Sequence, residues 1–235
     1  MKILAIDSSG LTATVALVLD GVMTAEYTTN FKKTHSQTLL PMIDEIVKMT
    51  GAELSEIDAI AVAAGPGSFT GLRIGASTAK GLGLALKKPI VSVPTVEGLA
   101  YNFYGSDRVI CPIMDARRNQ VYTGLYTFEG ERFCVLEEQQ AVGIEEIIEK
   151  VNELGRPVVF LGDGVPVFRE KVQELVSVDV LFAPAHLCMQ RAAAVAVRGE
   201  ALYKEGKIET PAEHKPVYLR KSQAEREREA AKKGG

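Results

Sequence analysis

One arrangement of strands occurs twice along the 235-residue chain, and it limits the available folds more than any other feature. Ile3, Leu4, Ala5 and Ile6 make a short apolar run closed by Asp7 and the turn residues Ser8-Ser9-Gly10. A second run, Ala13 to Leu19, is turned by Asp20-Gly21 into a third, Val22 to Thr29. Asp-Gly between apolar runs signals a hairpin, because the favoured two-residue turn needs positive φ at both central positions. From Val109 the pattern begins again: Val109 to Met114 ends at Asp115, Val121 to Phe128 alternates, and Glu129-Gly130 turns the chain into Arg132 to Leu136. The aspartate precedes the turn glycine by 14 residues in the first unit and by 15 in the second. Matching offsets of this kind point to an internal duplication.

Each unit is followed by helical and strand segments. In His35 to Met49 the apolar residues Leu39, Ile43, Ile46 and Val47 fall on one helical face, away from Asp44, Glu45 and Lys48. Pro41 suits a first helical turn, which places the start of the regular helix near Leu39 or Leu40. Ile57 to Ala64 reads as a buried strand, Gly65 to Thr70 as a loop, Gly71 to Leu86 as a helix and Ile90 to Val93 as a strand. In the second half, Ile144 to Leu154, Val165 to Leu175 and Cys188 to Lys204 read as helices, with Val158 to Leu161 as a strand. The expected fold is α/β with hairpins in mixed sheets. It divides into lobes at 1–104 and 105–219 joined near Tyr101 to Ser106, and a tail at 220–235 in which nine of the 14 residues from Arg220 to Lys233 are charged.

Charge excludes one broad class: 27 basic against 30 acidic side chains leave a net charge of -3, so no overall basic field would hold a phosphate backbone. The longest strictly apolar runs, Ala59 to Ala64 and Ala192 to Val197, fall far short of the roughly 20 residues that cross a bilayer. Asp7 interrupts the first apolar stretch before a signal-peptide core forms, and Cys111, Cys134 and Cys188 are odd in number and widely spaced. The expected location is cytoplasmic, with reduced thiols and no membrane contact.

The segment Gly65-Pro66-Gly67-Ser68-Phe69-Thr70-Gly71-Leu72-Arg73-Ile74-Gly75 lies between a buried strand and a helix, where an anion site must be considered. A dinucleotide fingerprint needs glycine at Thr70, and a P-loop needs Lys-Ser/Thr at Leu72-Arg73; neither motif is present. Local chemistry favours a helix cap by Ser68 or Thr70. Within the helix, Gly71, Gly75, Ala79 and Gly83 recur every four residues. Interior glycines destabilise a helix, so the stripe needs a close neighbour, either the chain's own sheet or a partner helix.

Other chemistry finds little support. His35, His186 and His214 are far apart, no cysteine pair exists and no G-x-S-x-G elbow occurs, so neither metal ligands nor catalytic residues are assigned. Asp7 and Asp115 at strand ends resemble positions that hold a metal-bound nucleotide, with a turn-forming role as the alternative. Gly162-Asp163-Gly164 is a turn that could approach a base. Arg117 and Arg118 with Arg73, Lys80, Lys87 and Lys88 could form a local basic patch or simply solvated surface.

Taken together, Ile3 to Ser9, His35-Ser36 with Leu39-Leu40-Pro41, Gly65 to Gly75 with Ala79-Lys80-Gly81, Asp115-Ala116-Arg117 with Val121-Tyr122, Gly162-Asp163-Gly164 and Pro216-Val217-Tyr218-Leu219-Arg220 resemble the TsaB (YeaZ) family. The resemblance implies an actin-like, two-lobed fold of the sugar kinase and heat-shock protein type. It implies a role in forming threonylcarbamoyladenosine beside the anticodon of tRNAs that read codons beginning with A. In that family the transfer belongs to the TsaD subunit, which holds a metal through paired histidines; TsaE, a P-loop ATPase, joins the assembly and TsaC supplies the adenylate. ATP and metal are therefore expected on partner subunits, with no cofactor in this chain and tRNA met only through the complex. The resemblance places TsaD, or a second copy when the chain is alone, against His35, Leu39, Leu40, Ile43, Ile46, Val47, Gly71, Gly75, Ala79 and Gly83. A vestigial nucleotide site would comprise Asp7, Ser8, Gly67, Ser68, Asp115, Arg117, Gly162 and Gly164. An ATP-dependent phosphotransferase of the same fold and a metal-dependent glycoprotease are the competing functions, the latter opposed by the missing metal motif.

Overall fold

Asp20 (φ 52°) and Gly21 (φ 80°) both take the left-handed conformation that their hairpin demands. They join β2 (Ala13–Leu19) to β3 (Val22–Thr29), and β2 pairs antiparallel with β1 (Lys2–Asp7). The computed structural model describes residues 1–31 and 34–220. The tail read from the sequence lies, beyond Arg220, outside the described residues.

After β3 come α1 (His35–Thr50), β4 (Ala59–Gly65), α2 (Phe69–Leu86), β5 (Ile90–Pro94) and α3 (Thr95–Ala100). The second half repeats the order with β6 (Val109–Asp115), β7 (Gln120–Glu129), β8 (Arg132–Gly143), α4 (Ile144–Leu154), β9 (Val158–Leu161), α5 (Val165–Leu175) and β10 (Val180–Phe182), then α6 (Ala185–Cys188) and α7 (Ala192–Lys204). The sheets are ordered β3-β2-β1-β4-β5 and β10-β9-β6-β7-β8, which is one topology used twice. In both, a hairpin flanks a central strand whose other neighbour is parallel. The duplication inferred from the aspartate and glycine offsets is therefore present in the fold.

Burial follows the strand alternation. Leu4, Ile6, Val15, Leu17, Ile60 and Val62 meet Leu39, Met42, Ile43 and Ile46 of α1 on one face of the first sheet. Ile3, Ala5, Ala16, Ala61, Val91 and Val93 meet Ala192, Val195 and Ala196 of α7 on the other. Alanines on both sides let α7 approach closely: a Cβ on Gly199 would lie 2.7 Å from the Ala61 Cβ. The second sheet and its helices share one further core. No helix among the described residues is long and apolar enough to cross a membrane.

Several sequence expectations need correction. α1 begins at His35 rather than near Leu39 or Leu40, with Pro41 inside it. The proline lies on the exposed side together with Gln37, whose carbonyl it leaves unpaired, and water can satisfy that carbonyl there. α2 begins at Phe69, ahead of Gly71. The helix read from Cys188 to Lys204 is broken, because Asn102 Nδ2 donates to the carbonyls of Leu187 and Met189 (both 2.9 Å) and Arg191 is extended. Strand β10, only three residues long, leaves no readable pattern in the sequence.

α3 packs into the second core, whereas α7 and the segment after it return to the first sheet. That segment, residues 208–220, forms a strap: Ile90 and Glu209 exchange backbone bonds of 2.9 Å, and Val217 N donates to Ala64 O at 2.7 Å. At the crossing, Arg198 of α7 donates to Glu97 of α3 at 2.6 Å in a buried pair, over the ring of Phe133.

Candidate functional site

A cleft of about 610 Å³ opens between the two hairpins, lined by Ser9, Gly67, Ser68, Asp115, Arg117 and Asp163 among others. It brings together residues from both duplicated units, including Gly67, Ser68, Asp115 and Arg117 of the candidate nucleotide set. Asp7 and Ser8 lie beneath its floor, both buried.

Both aspartates make the same turn. Asp7 Oδ1 accepts from Ser9 N (2.8 Å) and Ser9 Oγ (2.6 Å); Asp115 Oδ1 accepts from Arg117 N (2.8 Å). The turn-forming role is thus the one seen at each position. Burial pushes the Asp7 carboxyl up to about 6, against the lowering effect of the Ser9 bonds. Burial also raises Asp163, whose Oδ1 accepts from Asp115 N at 3.1 Å and whose neighbour is the Asp115 carboxylate.

A nucleotide's phosphates need free amides at a glycine-rich hairpin and at a helix amino terminus. Here two of the donors at the amino terminus of α2 are engaged. Ser68 N donates to Ser9 O at 2.6 Å, and Ser68 Oγ accepts from Gly71 N at 3.3 Å, which settles the cap in favour of Ser68 over Thr70. Ser8 Oγ donates to Gly71 O at 2.9 Å, and His35 Nε2 pairs with Gly10 O at 2.8 Å. The first hairpin therefore turns carbonyl oxygens toward α2 and α1, and a phosphate placed there would face oxygen. The residues do not fit a nucleotide's phosphates. In the second unit, Gly162 (φ 102°) and Gly164 press against the Ile113 carbonyl, so both serve close backbone approach. Among the described residues no group of three or more acidic, histidine or cysteine side chains could hold a metal. Cys111 and Cys188 are buried, and burial raises both thiols, Cys111 to about 12.

The stripe on α2 faces inward. A Cβ on Gly71 would collide with the Ser8 carbonyl. One on Gly75 would lie 2.6 Å from Ser8 Oγ, and one on Gly83 would lie 2.8 Å from Pro211 Cγ. Ala79 is fully buried against the first core. The chain's own hairpin, sheet and strap are the close neighbours that the glycines admit. Leu39, Ile43 and Ile46 of the expected docking set are likewise buried, while His35 and Val47 are half-buried. Only Leu40 of that set is an exposed large apolar residue, at 55%.

Sequence reasoning overlooked what surrounds Leu40. A groove between α1 and α2 is lined by Leu40, Thr70, Arg73, Ile74, Ser77 and Thr78. Farther along α2, Gly81, Leu84 (63% exposed) and Ala85 continue the outer face, and a Cβ on Gly81 would meet nothing. The outward glycine is therefore Gly81, which lies off the four-residue stripe and is set apart from the other glycines only by the direction it faces. The supposed basic patch separates as well. Lys80 Nζ donates to the strap carbonyls of Ala212 (3.2 Å) and His214 (3.1 Å), and Lys87 caps the far end of α2. Arg73 Nε instead donates to Tyr218 OH at 3.2 Å, and its guanidinium lies 4.6 Å from the centre of Phe69, itself stacked on Tyr218 at 4.0 Å.

The family model described as "TsaD: tRNA N6-adenosine threonylcarbamoyltransferase" matches residues 23–228. The tRNA threonylcarbamoyladenosine biosynthesis protein TsaB of Bacillus subtilis (strain 168) is 35% identical over 228 residues, covering 96% of this chain and 96% of that one. YeaZ from Pseudomonas aeruginosa superposes with a TM-score of 0.80 at 27% identity, over 93% of this chain and 99% of its own. An inorganic polyphosphate/ATP-glucomannokinase from Arthrobacter sp. strain KM matches with a TM-score of 0.53 at 10% identity, over 85% of this chain and 98% of that one. That likeness shows the fold alone: the two-lobed, actin-like architecture of sugar kinases.

Proposed function

The chain belongs to the TsaB (YeaZ) family of tRNA threonylcarbamoyladenosine biosynthesis proteins, and on that premise we propose that it serves the pathway as a docking subunit, with the transfer itself performed by TsaD. The observation that carries this reading is the outer face of α1 and α2, where Leu40, Ile74, Gly81 and Leu84 stand beside small side chains and leave an apolar strip uncovered. Small residues between two leucines let a partner helix approach closely, and the large side chains at either end then bury against it.

The supported partner is the TsaD subunit, with TsaE joining the assembly and a second copy of this chain taking the same face when TsaD is absent. ATP and metal belong to those partners. The engaged amides at the amino terminus of α2 support this division and weigh against a phosphotransferase working from the cleft. The cytoplasm, where tRNA is modified, is the corresponding compartment.

Reconstitution tests the reading. With TsaD, TsaE and TsaC supplied, tRNA modification should require this chain, and titration of magnesium-ATP into the chain alone should give no saturable heat. Full modification in its absence would overturn the docking role; micromolar ATP binding with turnover would replace it with an enzyme.

A further inference from the structure

The turn between β6 and β7 is built from an unfavourable choice of residues. Arg117, Arg118 and Asn119 adopt φ of 63°, 58° and 59°, three consecutive left-handed residues without a glycine. The equivalent turn in the first unit, Ser8 to Thr12 between β1 and β2, is made without any residue at positive φ. Strain that a common substitution would relieve points to a use for the side chains that cause it. Both arginines are exposed. Arg117 reaches the Asp115 carboxylate at 3.0 Å, while Arg118 has no carboxylate partner among the described residues.

A second observation, from a different part of the chain, adds positive charge at the same place. The strap ends with Arg220 donating to the Ala116 carbonyl, next to Arg117. Two residues earlier, Tyr218 is 37% exposed while stacked on Phe69, with Arg73 beside the pair. Guanidinium groups from three separate elements are thus gathered along the end of the strap, two residues from an accessible aromatic ring, and Arg117 among them lines the cleft, although the chain as a whole is negative. Guanidinium recognises phosphate oxygens, and an accessible ring offers a base a stacking surface.

We propose that this ridge, comprising Arg117, Arg118, Arg220, Arg73 and Tyr218, binds an RNA strand directly, taking its phosphates on the arginines and a base on Tyr218. The proposal rests on the chain's place in tRNA modification, which makes tRNA the RNA at hand, and it adds a contact made by this chain itself. The charge is local, so binding is strongest when a partner on the neighbouring α1–α2 face holds the RNA nearby.

The test uses the assembly of the full chain with TsaD and an unmodified tRNA transcript, followed by fluorescence anisotropy across a salt series. Arg118→Glu, in a side chain with no carboxylate partner to lose among the described residues, should weaken tRNA binding at least tenfold and flatten the dependence of log Kd on log salt by about one unit. Arg118→Gly should raise the thermal midpoint by relieving the turn and still weaken tRNA binding, a combination that a purely structural residue would not give. Tyr218→Phe should retain binding and Tyr218→Ala should lose it. Native tRNA affinity and salt slope in both Arg118 variants would overturn the proposal. So would a matching loss of affinity for TsaD measured by calorimetry without tRNA, since the ridge would then be a protein contact. If the unaltered chain neither binds TsaD nor supports modification, the docking role fails instead, and the two failures remain distinct.

Discussion

The two hairpins share a topology and an aspartate turn but have opposite fates. At the first, Ser8 to Gly10 is drawn onto α2 and α1 by Ser68, Gly71 and His35, and Asp7 is buried beneath it. At the second, Arg117 to Asn119 projects into solvent and Asp115 remains partly accessible. The difference arises from the glycines that succeed each central strand pair. Gly67 and Gly71 remove the side chains that would hold α2 away from the first hairpin. In the second unit Gly162 and Gly164 close on the Ile113 backbone instead, beneath the hairpin's own strand, and leave the tip free. Glycines at equivalent places closed one half of an inherited cleft and left the other half open.

The largest expected effect breaks the closed hairpin. Gly71→Val places branched carbon against the Ser8 carbonyl, and stability in urea should fall by about 3 kcal/mol or more. A loss below about 1 kcal/mol would mean that the hairpin is not held as described.

Next in size is the pH response of Asp7. Burial holds its carboxyl near 6, well above its unfolded value, so between roughly pH 4 and 6 the folded chain keeps a proton that the unfolded chain has released. Stability contributed by this group is therefore present at acid pH and lost as pH rises through 6, by about 2 kcal/mol. Compared with Asp7→Asn, the native chain should lose that much between pH 4 and 7 in parallel denaturant titrations. A constant difference across the range would contradict the assignment.

A smaller effect separates α2 from its counterpart α5. Ser68→Ala removes the cap on Gly71 N and should cost about 1 kcal/mol. α5 begins from Gly164 with no side-chain cap, so truncating its outward neighbour Val167 should change the thermal midpoint little by comparison.

Much of this architecture was legible in the residues. Offsets between aspartates and glycines gave the duplicated unit, and Asp20-Gly21 gave its turn, because both depend on neighbours close in sequence. Direction was not legible. The four-residue spacing of Gly71, Gly75, Ala79 and Gly83 reveals a small-residue face, but Ser8 and Pro211, which determine that it faces inward, lie far away along the chain. The return of α7 to the first sheet is hidden for the same reason: its partners Ile3, Ala5 and Ala61 precede it by more than a hundred residues. Pro41 misled the reading of α1 because a proline is tolerated inside a helix wherever the carbonyl it orphans faces water. The Arg73, Phe69 and Tyr218 cluster likewise joins residues that only the strap brings together.

Inward and outward glycines of one helix provide the most direct test of the docking account. Isothermal titration of TsaD should be compared between the native chain and Gly81→Leu, a position where an added Cβ meets nothing within 4 Å among the described residues. The account predicts an unchanged or higher thermal midpoint, since leucine favours helix over glycine by about 0.5 to 1 kcal/mol, together with at least tenfold weaker binding. Unchanged affinity in a well-folded Gly81→Leu chain would contradict it.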